Sequence, residues 1–268
     1  MYRAAFQSRE EMQRSNEKRQ KMENEKLYIV MPAYNEEATI ADVVRDWYPV
    51  VQNLGADSRI VVADSGSNDR THSILLDLQK EYPQIEILSD TGKFHGPKVI
   101  ALYRYAIEQN AEWIFQTDSD GQTVPSEFSS FWDMRQKYDI VCGKRAKRGD
   151  GLIRALVEKV VCILLRAYFK VKVPDANAPF RLMKTDTVKK YLEKLSPEYN
   201  LPNIMLTTFF VYYKEKILFL PITFRPRQGG KNSIDLVKIV KIGCNALKDF
   251  AVFKKNMNDT HGEKPWGT

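Results

Sequence analysis

Residues 113–122 read WIFQTDSDGQ, an apolar run that breaks abruptly into two carboxylates, a glycine and an amide. Four other short runs, 27–33 (LYIVMPA), 59–64 (RIVVAD), 85–89 (IEILS) and 139–143 (DIVCG), are likewise rich in Val and Ile and show little alternation. Such runs fit strands covered on both faces. Between them, residues 36–53, 70–82, 97–110 and 125–137 carry helical periodicity with start signals. Pro97 and Pro125 stand where a first helical turn tolerates proline, because its missing N–H would be unpaired there. Strands separated by helices of this length predict βαβ units and a single, mostly parallel, twisted sheet flanked by helices. Ligands of such sheets bind beyond the carboxyl ends of the strands. The chain places its acids there, in PAYNEE (32–37), DSGSND (64–69) and DSDGQ (118–122).

The bulk composition is that of a globular protein: 268 residues, 43% apolar and 28% charged. Disordered, collagen-like and coiled-coil classes are excluded. The spacing predicts one α/β domain over 25–256, a charged, disordered extension over 1–24 and a flexible tail over 257–268. The longest apolar run, 160–165, has six residues against the ~18 of a membrane-spanning helix. The first 26 residues carry seven basic and five acidic side chains and no apolar stretch, so no secretory signal is expected. Three scattered cysteines and three histidines argue for reduced thiols, a cytoplasmic setting and no zinc chemistry.

The net charge of +7 is uneven. Residues 144–172 hold nine basic and two acidic side chains, and 225–255 hold eight and two. Phosphates, an anionic membrane or nucleic acid would each suit such segments. Nucleic acid is the weakest, since no groove-reading or stacking motif accompanies them. Residues 152–170 and 234–255 read as amphipathic helices with lysines and arginines on one side. Both are expected to cap the core before they would lie on a membrane.

An Asp-x-Asp pair at a strand end aims two hard oxygen ligands into one cleft, which suits Mg²⁺ or Mn²⁺ bridged by a diphosphate. Gln122 adds a neutral carbonyl, and Gly121 lets the backbone turn. A solvated turn with an Asp cap ahead of Pro125 would produce the same short pattern. Three acidic loops at three strand ends weigh against it.

In order and spacing, VMPAYNEEATI (30–40), ADSGSNDRT (63–71) and TDSDGQ (117–122) resemble glycosyltransferase family 2, over about residues 26–233. The continuation of the acidic motif into Gly-Gln resembles the dolichyl- and polyprenyl-phosphate sugar synthase branch, although Ala63 replaces the usual first Asp of the second loop. The resemblance implies a GT-A nucleotide-diphospho-sugar fold with a C-terminal amphipathic helix. Its nucleotide-binding half would span about 25–122 and its acceptor half about 123–256. It implies that Pro32, Tyr34 and Glu36 line the nucleotide pocket, that Asp64 holds base or ribose, and that Asp118 approaches ribose or metal. Asp120 and Gln122 would complete a metal site with Asp118. TGKFHGPKVIAL (91–102) places Lys98 at the family's nucleotide-holding lysine, with Val99 in place of a glycine. VCGKR (141–145) places Arg145 where the family binds phosphate, and LPITFRPRQGG (220–230) places Arg227 over the diphosphate, with Lys231 displaced by two positions. VPDANAPFRLMK (173–184) resembles the acceptor loop, carrying Asp175, Phe180 and Arg181, with Ala178 and Pro179 in place of Ser-Gly. His95 is expected to be an ordinary polar loop residue.

The implied reaction is an inverting single displacement from a UDP- or GDP-linked sugar, with Mg²⁺ or Mn²⁺ on the leaving diphosphate and Asp120, Arg145 and Asp175 nearest the chemistry. A polyprenyl-phosphate acceptor is already an anion and needs no base. A hydroxyl of a sugar or lipid-linked sugar, as in cell-surface polysaccharide synthesis, would need one, and Asp175 is the candidate. A third reading is an inactive nucleotide-binding or membrane-recruiting scaffold. A lipid acceptor implies an enzyme peripheral on the cytoplasmic face of an anionic membrane, and a homo-oligomer is compatible with all three.

Overall fold

The strand at residues 27–33 is buried along its whole length, as an apolar run with both faces covered should be. It is the centre of the computed structural model, which describes residues 25–148, 152–227 and 246–255. The expected extension, the tail, Lys231 and the first half of the helix read at 234–255 lie outside the described residues.

The first half of the chain forms β1 (Leu27–Ala33), α1 (Ile40–Leu54), β2 (Arg59–Asp64), α2 (Thr71–Glu81), β3 (Ile85–Leu88), α3 (His95–Glu108) and β4 (Trp113–Thr117). A 3₁₀ turn (Pro125–Glu127) leads into α4 (Phe128–Met134) and β5 (Ile140–Arg148). Then follow α5 (Leu152–Phe169), β6 (Phe180–Lys184), α6 (Thr185–Leu192), α7 (Pro202–Tyr212) and β7 (Ile217–Phe224). Residues 246–255 are helical as well. The sheet order is β3-β2-β1-β4-β6-β5-β7. β6 runs against both neighbours, and the other six strands are parallel.

Side chains alternate across a strand, so β1 feeds two cores. Leu27, Ile29, Met31 and Ala33 pack with α1 and α2, and Tyr28 and Val30 pack with α3, α6 and α7. Phe115 of β4 and Phe180 of β6 stand edge to face at 4.7 Å, and Trp47 of α1 covers both at 5.1 and 5.9 Å. Rings of this size stabilise by about 1.5–3 kcal/mol each when fully buried, so the cluster seats the antiparallel strand firmly beside β4. Phe180 is therefore a core residue rather than a lining of an acceptor pocket.

Of the two helices expected to cap the core, one departs from that role. α5 buries Leu165 and Phe169 but leaves Leu156, Val160 and Ile163 exposed, while Glu158 turns inward. In the helical run 246–255, Phe250 packs on Phe169 at 5.7 Å and Phe253 on Tyr199 at 5.4 Å, so this part does cap the core as expected.

Candidate active site

The loops after β1 and β2 are tied together. Asn35 adopts φ 55°, a left-handed conformation that Asn tolerates. Its side-chain carbonyl accepts the Asn68 N–H at 2.8 Å, and its own N–H donates to Ser67 Oγ at 3.0 Å. Glu36 N–H donates to Thr71 Oγ1 at 2.8 Å, and Glu37 N–H to Asp69 Oδ2 at 3.2 Å. Asp69 also caps α2 through the Thr71 N–H, leaving Asp64 free of that duty. Asp64 is buried, accepts the Ser67 hydroxyl on Oδ1 and lies 3.1 Å from His72 Nδ1 through Oδ2.

Lys98, in the first turn of α3, is buried and donates to the Ala33 carbonyl, with its ammonium 5.2 Å over the Tyr34 ring. Burial pushes its pKa down to about 8, with Asp64 pulling the other way. Lys98, Tyr34, Asp64 and the end of β1 thus share one corner of the crevice. His95 opens α3 and stays exposed.

The acidic loop leaves β4 beside this corner. Ser119 Oγ donates to the Pro32 carbonyl at 2.8 Å, Thr39 Oγ1 to the Ser119 carbonyl at 3.2 Å, and Gly121 turns at φ 72°. Asp120 accepts the Gln122 N–H at 3.1 Å. Burial, then the charge of Asp120, push the Asp118 carboxyl far above the usual range, against the pull of Arg145. Burial likewise raises Asp120, against the Gln122 amide and the charges of Arg227 and Arg154. Glu36 completes the acidic wall. It accepts Arg227 on Oε1 and Thr39 at 3.2 Å on Oε2, and its carboxyl is raised by burial despite Arg227.

Gln122 is placed differently from a bare ligand. Its side-chain amide donates to the Arg225 carbonyl at 2.8 Å, and its own carbonyl accepts the Arg225 N–H at 2.8 Å. It buckles the segment after β7 onto the acidic loop, which is what brings Arg227 to Glu36. Two close carboxylates with raised pKa values fit a hard divalent cation chemically. Among the described residues no three His, Cys, Asp or Glu side chains converge to cage one. The remaining ligands would have to be phosphate oxygens and water.

On the other side of the crevice, Arg145 of β5 grips Asp175 with Nε and Nη2, both at 2.8 Å, and its backbone N–H donates to Oδ2 at 3.2 Å. The Asn177 N–H adds a fourth bond to this carboxylate at 3.3 Å. A carboxylate offers about four lone-pair sites, and all are used. Glu158 of α5 takes a further Nη2 bond from Arg145 at 3.2 Å. Arg145, Glu158, Lys159 and Asp175 line a pocket of about 330 Å³ with Pro174 and Ile163.

Arg181 does not join them. It is fully buried and donates to the Ala176, Ala178 and Asn203 carbonyls and to Thr207 Oγ1, so it fixes the shape of the 175–178 loop from beneath. Glu158 has no counterpart among the residues expected from sequence. Its signal was there: it lies on the same helical stripe as Val161, Leu165 and Phe169, a lone acid among core positions.

Comparison with known proteins agrees with this architecture. The chain is 23% identical over 222 residues to the undecaprenyl-phosphate 4-deoxy-4-formamido-L-arabinose transferase of Pectobacterium atrosepticum, covering 82% of this chain and 65% of that one. This chain therefore spans just under two thirds of that relative's length. An uncharacterized glycosyltransferase of Synechocystis is 27% identical over 228 residues, 84% of this chain and 70% of the other. Among solved structures, the glucosyl-3-phosphoglycerate synthase of Mycobacterium tuberculosis, in complex with Mn²⁺, uridine diphosphate and phosphoglyceric acid, superposes with a TM-score of 0.64. Identity there is 17%, over 86% of this chain and 78% of that one, a likeness of fold. The model of glycosyl transferase family 2 matches residues 28–192. With its seven-stranded GT-A sheet and acidic loops at the strand ends, this chain belongs to glycosyl transferase family 2.

Proposed function

We propose that the chain transfers a sugar, with inversion, from a UDP- or GDP-linked donor to a polyprenyl phosphate. The observation that carries this reading is the state of Asp175. A carboxylate whose lone pairs are all engaged, three of them by one arginine, is poorly placed to take a proton from a hydroxyl. A phosphate acceptor needs no such base. Its oxygen attacks the anomeric carbon, the bond from that carbon to the diphosphate oxygen breaks, and the nucleoside diphosphate leaves with the electron pair.

Tyr34, Glu36, Asp64 and Lys98, with the Pro32 end of β1, would hold the nucleoside. Arg227 would move from Glu36 to the diphosphate, and Arg145 would orient the acceptor phosphate. Asp118 and Asp120, with Gln122 nearby, would hold Mg²⁺ or Mn²⁺, whose chemistry is to neutralise charge on the departing diphosphate. That Arg145 acts on the titration of Asp118 supports the closeness of the two substrate sites.

No helix of the described residues is long and apolar enough to cross a membrane. The exposed Leu156, Val160 and Ile163, beside Lys159 and Arg166, support an enzyme that reaches its acceptor from an anionic membrane surface. Sedimentation with anionic liposomes, reversed by salt, tests this point.

The decisive assay incubates labelled nucleotide sugars with a prenyl phosphate, the matching prenol and a lipid-linked sugar. Lipid-extractable label only with the phosphate is expected, and Asp175→Asn should leave that turnover largely intact. Label on the hydroxyl acceptors, abolished in a folded Asp175→Asn protein, would replace this reading. Donor cleavage that vanishes in Asp120→Ala would set aside an inactive scaffold.

A further inference from the structure

Glu158 is only 9% exposed, yet it faces charge rather than core. Its Oε1 accepts the Ala176 N–H at 2.7 Å and the Cys162 thiol at 3.5 Å, and its Oε2 accepts Arg145 Nη2 at 3.2 Å. The same Nη2 already donates to Asp175 at 2.8 Å, so Glu158 is a second carboxylate on one guanidinium. The groups that face it are Arg145 from β5, Asp175 from the segment before β6, and Cys162 and Lys159 from its own helix. Two carboxylates thus share the one guanidinium of Arg145, with Lys159 in the lining of the same pocket. Burial first, then the charge of Asp175, push the Glu158 carboxyl above its ordinary value. Chemically, a carboxylate oxygen at hydrogen-bonding distance from an arginine Nη stands where a phosphate oxygen would stand.

We propose that Glu158 is an autoinhibitory side chain that keeps the acceptor phosphate's place on Arg145 and must give it up before the phosphate binds. The proposal rests on the phosphate-acceptor reading above. Oε1 anchors the side chain on Ala176, so the exchange needs only that Oε2 swing away from Arg145. A phosphate arriving beside an ionised Glu158 is repelled, so its binding draws a proton from solvent onto Glu158. The device keeps Arg145 compensated until the phosphate arrives, and it lowers the affinity of a phosphate acceptor without touching that of a neutral one.

The test compares the wild-type chain with Glu158→Gln, which keeps an oxygen for the Ala176 N–H and removes the charge. Titration calorimetry with farnesyl phosphate at pH 7.5 should show binding about tenfold tighter in the variant, within the usual range for coupled binding equilibria. Farnesol and nucleoside diphosphate should bind both proteins alike. The ratio of the two farnesyl phosphate constants cancels the ligand's own titration. It should shrink toward one as pH falls through the Glu158 range, because wild-type Glu158 is then protonated too. Equal or weaker farnesyl phosphate binding in a variant with an unchanged melting midpoint overturns the proposal while the phosphate reading stands. Binding in neither protein overturns both. Should Glu158→Gln melt early, inorganic sulfate serves as a probe of the wild-type chain, since its charge is fixed near neutrality. Affinity that rises from pH 8 to pH 6 is expected, and a flat profile or no measurable affinity overturns the proposal.

Discussion

Asp118 with Asp120, and Asp175 with Glu158, are two carboxylate pairs on the same edge of one sheet, balanced in opposite ways. The first pair follows β4. Among the described residues no cation lies within hydrogen-bonding distance of it, and burial pushes both carboxyls up, Asp118 further through the charge of Asp120. The second pair closes on Arg145, a buried cation that the chain supplies itself. On the proposed function, the first pair would receive a cation, and the second takes up the arginine that an acceptor phosphate would need. Removing an acid should therefore relieve the fold at the first pair and damage it at the second.

The largest effect expected is on turnover. Asp120→Ala should lower sugar transfer by about a thousandfold, in the range found when one preorganised charge contact at a reacting centre is removed. Steady-state assay of a folded variant checks this, and near-normal turnover would dissolve the special standing of the first pair. Next comes stability at the second pair. Asp175→Ala leaves the buried Arg145 without its bidentate partner and should cost about 3–5 kcal/mol in denaturant unfolding.

The opposite sign follows for Asp120→Asn. Asp118 is raised to about 8 in the fold, so the folded chain keeps protons longer than the unfolded one. Stability without metal must then fall as pH rises from the ordinary carboxylate range toward that value. Asp120→Asn should flatten this fall and stabilise the metal-free protein by about 1 kcal/mol at pH 8, with little gain at pH 5. Added Mn²⁺ should raise the melting midpoint of the wild-type chain at pH 8 and not that of the variant. The smallest effect calibrates the scale. Arg70, 80% exposed in its pair with Glu37, should cost under about 0.5 kcal/mol when replaced by alanine.

The first pair was far more legible in the sequence than the second. β1 and β2 begin and end where their apolar runs do, and β4 ends at Thr117, just ahead of the first carboxylate, because burial on both faces writes itself into consecutive residues. α1 starts four residues later than the periodicity from residue 36 predicts. Glu36 makes a turn that returns its carbonyl to the Thr39 and Ile40 N–H groups, and the helix begins only at Ile40. β6 does not read as a strand in sequence, with Arg181 second and Lys184 last in a run of only five residues. Arg181 is nonetheless fully buried, satisfied by carbonyls distant in sequence that no local pattern reveals. α7 is buried on nearly every side, Asn203, Thr207 and Thr208 included, so it lacks the periodicity that marks a helix. β7 carries Pro221, tolerable there because β7 is the sheet's edge. For the site itself, Asp118 and Asp120 are marked by loop position, and Asp175 by the resemblance of its loop alone. That Asp175 is spent on Arg145, and that Glu158 joins it, depended on a helix crossing over the strand ends.

The reversed strand has one more consequence. At one level of the sheet Gln116 of β4, Arg181 of β6 and Cys142 of β5 lie side by side. Adjacent strands are about 4.8 Å apart, so β6 sets the tips of β4 and β5 roughly twice that distance from each other. It works as a shim: a strip of backbone whose thickness, rather than whose side chains, fixes the gauge between the two halves of the crevice. Because it runs backwards, the loop that enters it is delivered to the same rim as the loops that leave its neighbours. Deleting it would let β4 and β5 zip together directly and would close that gap with every acid and arginine still present.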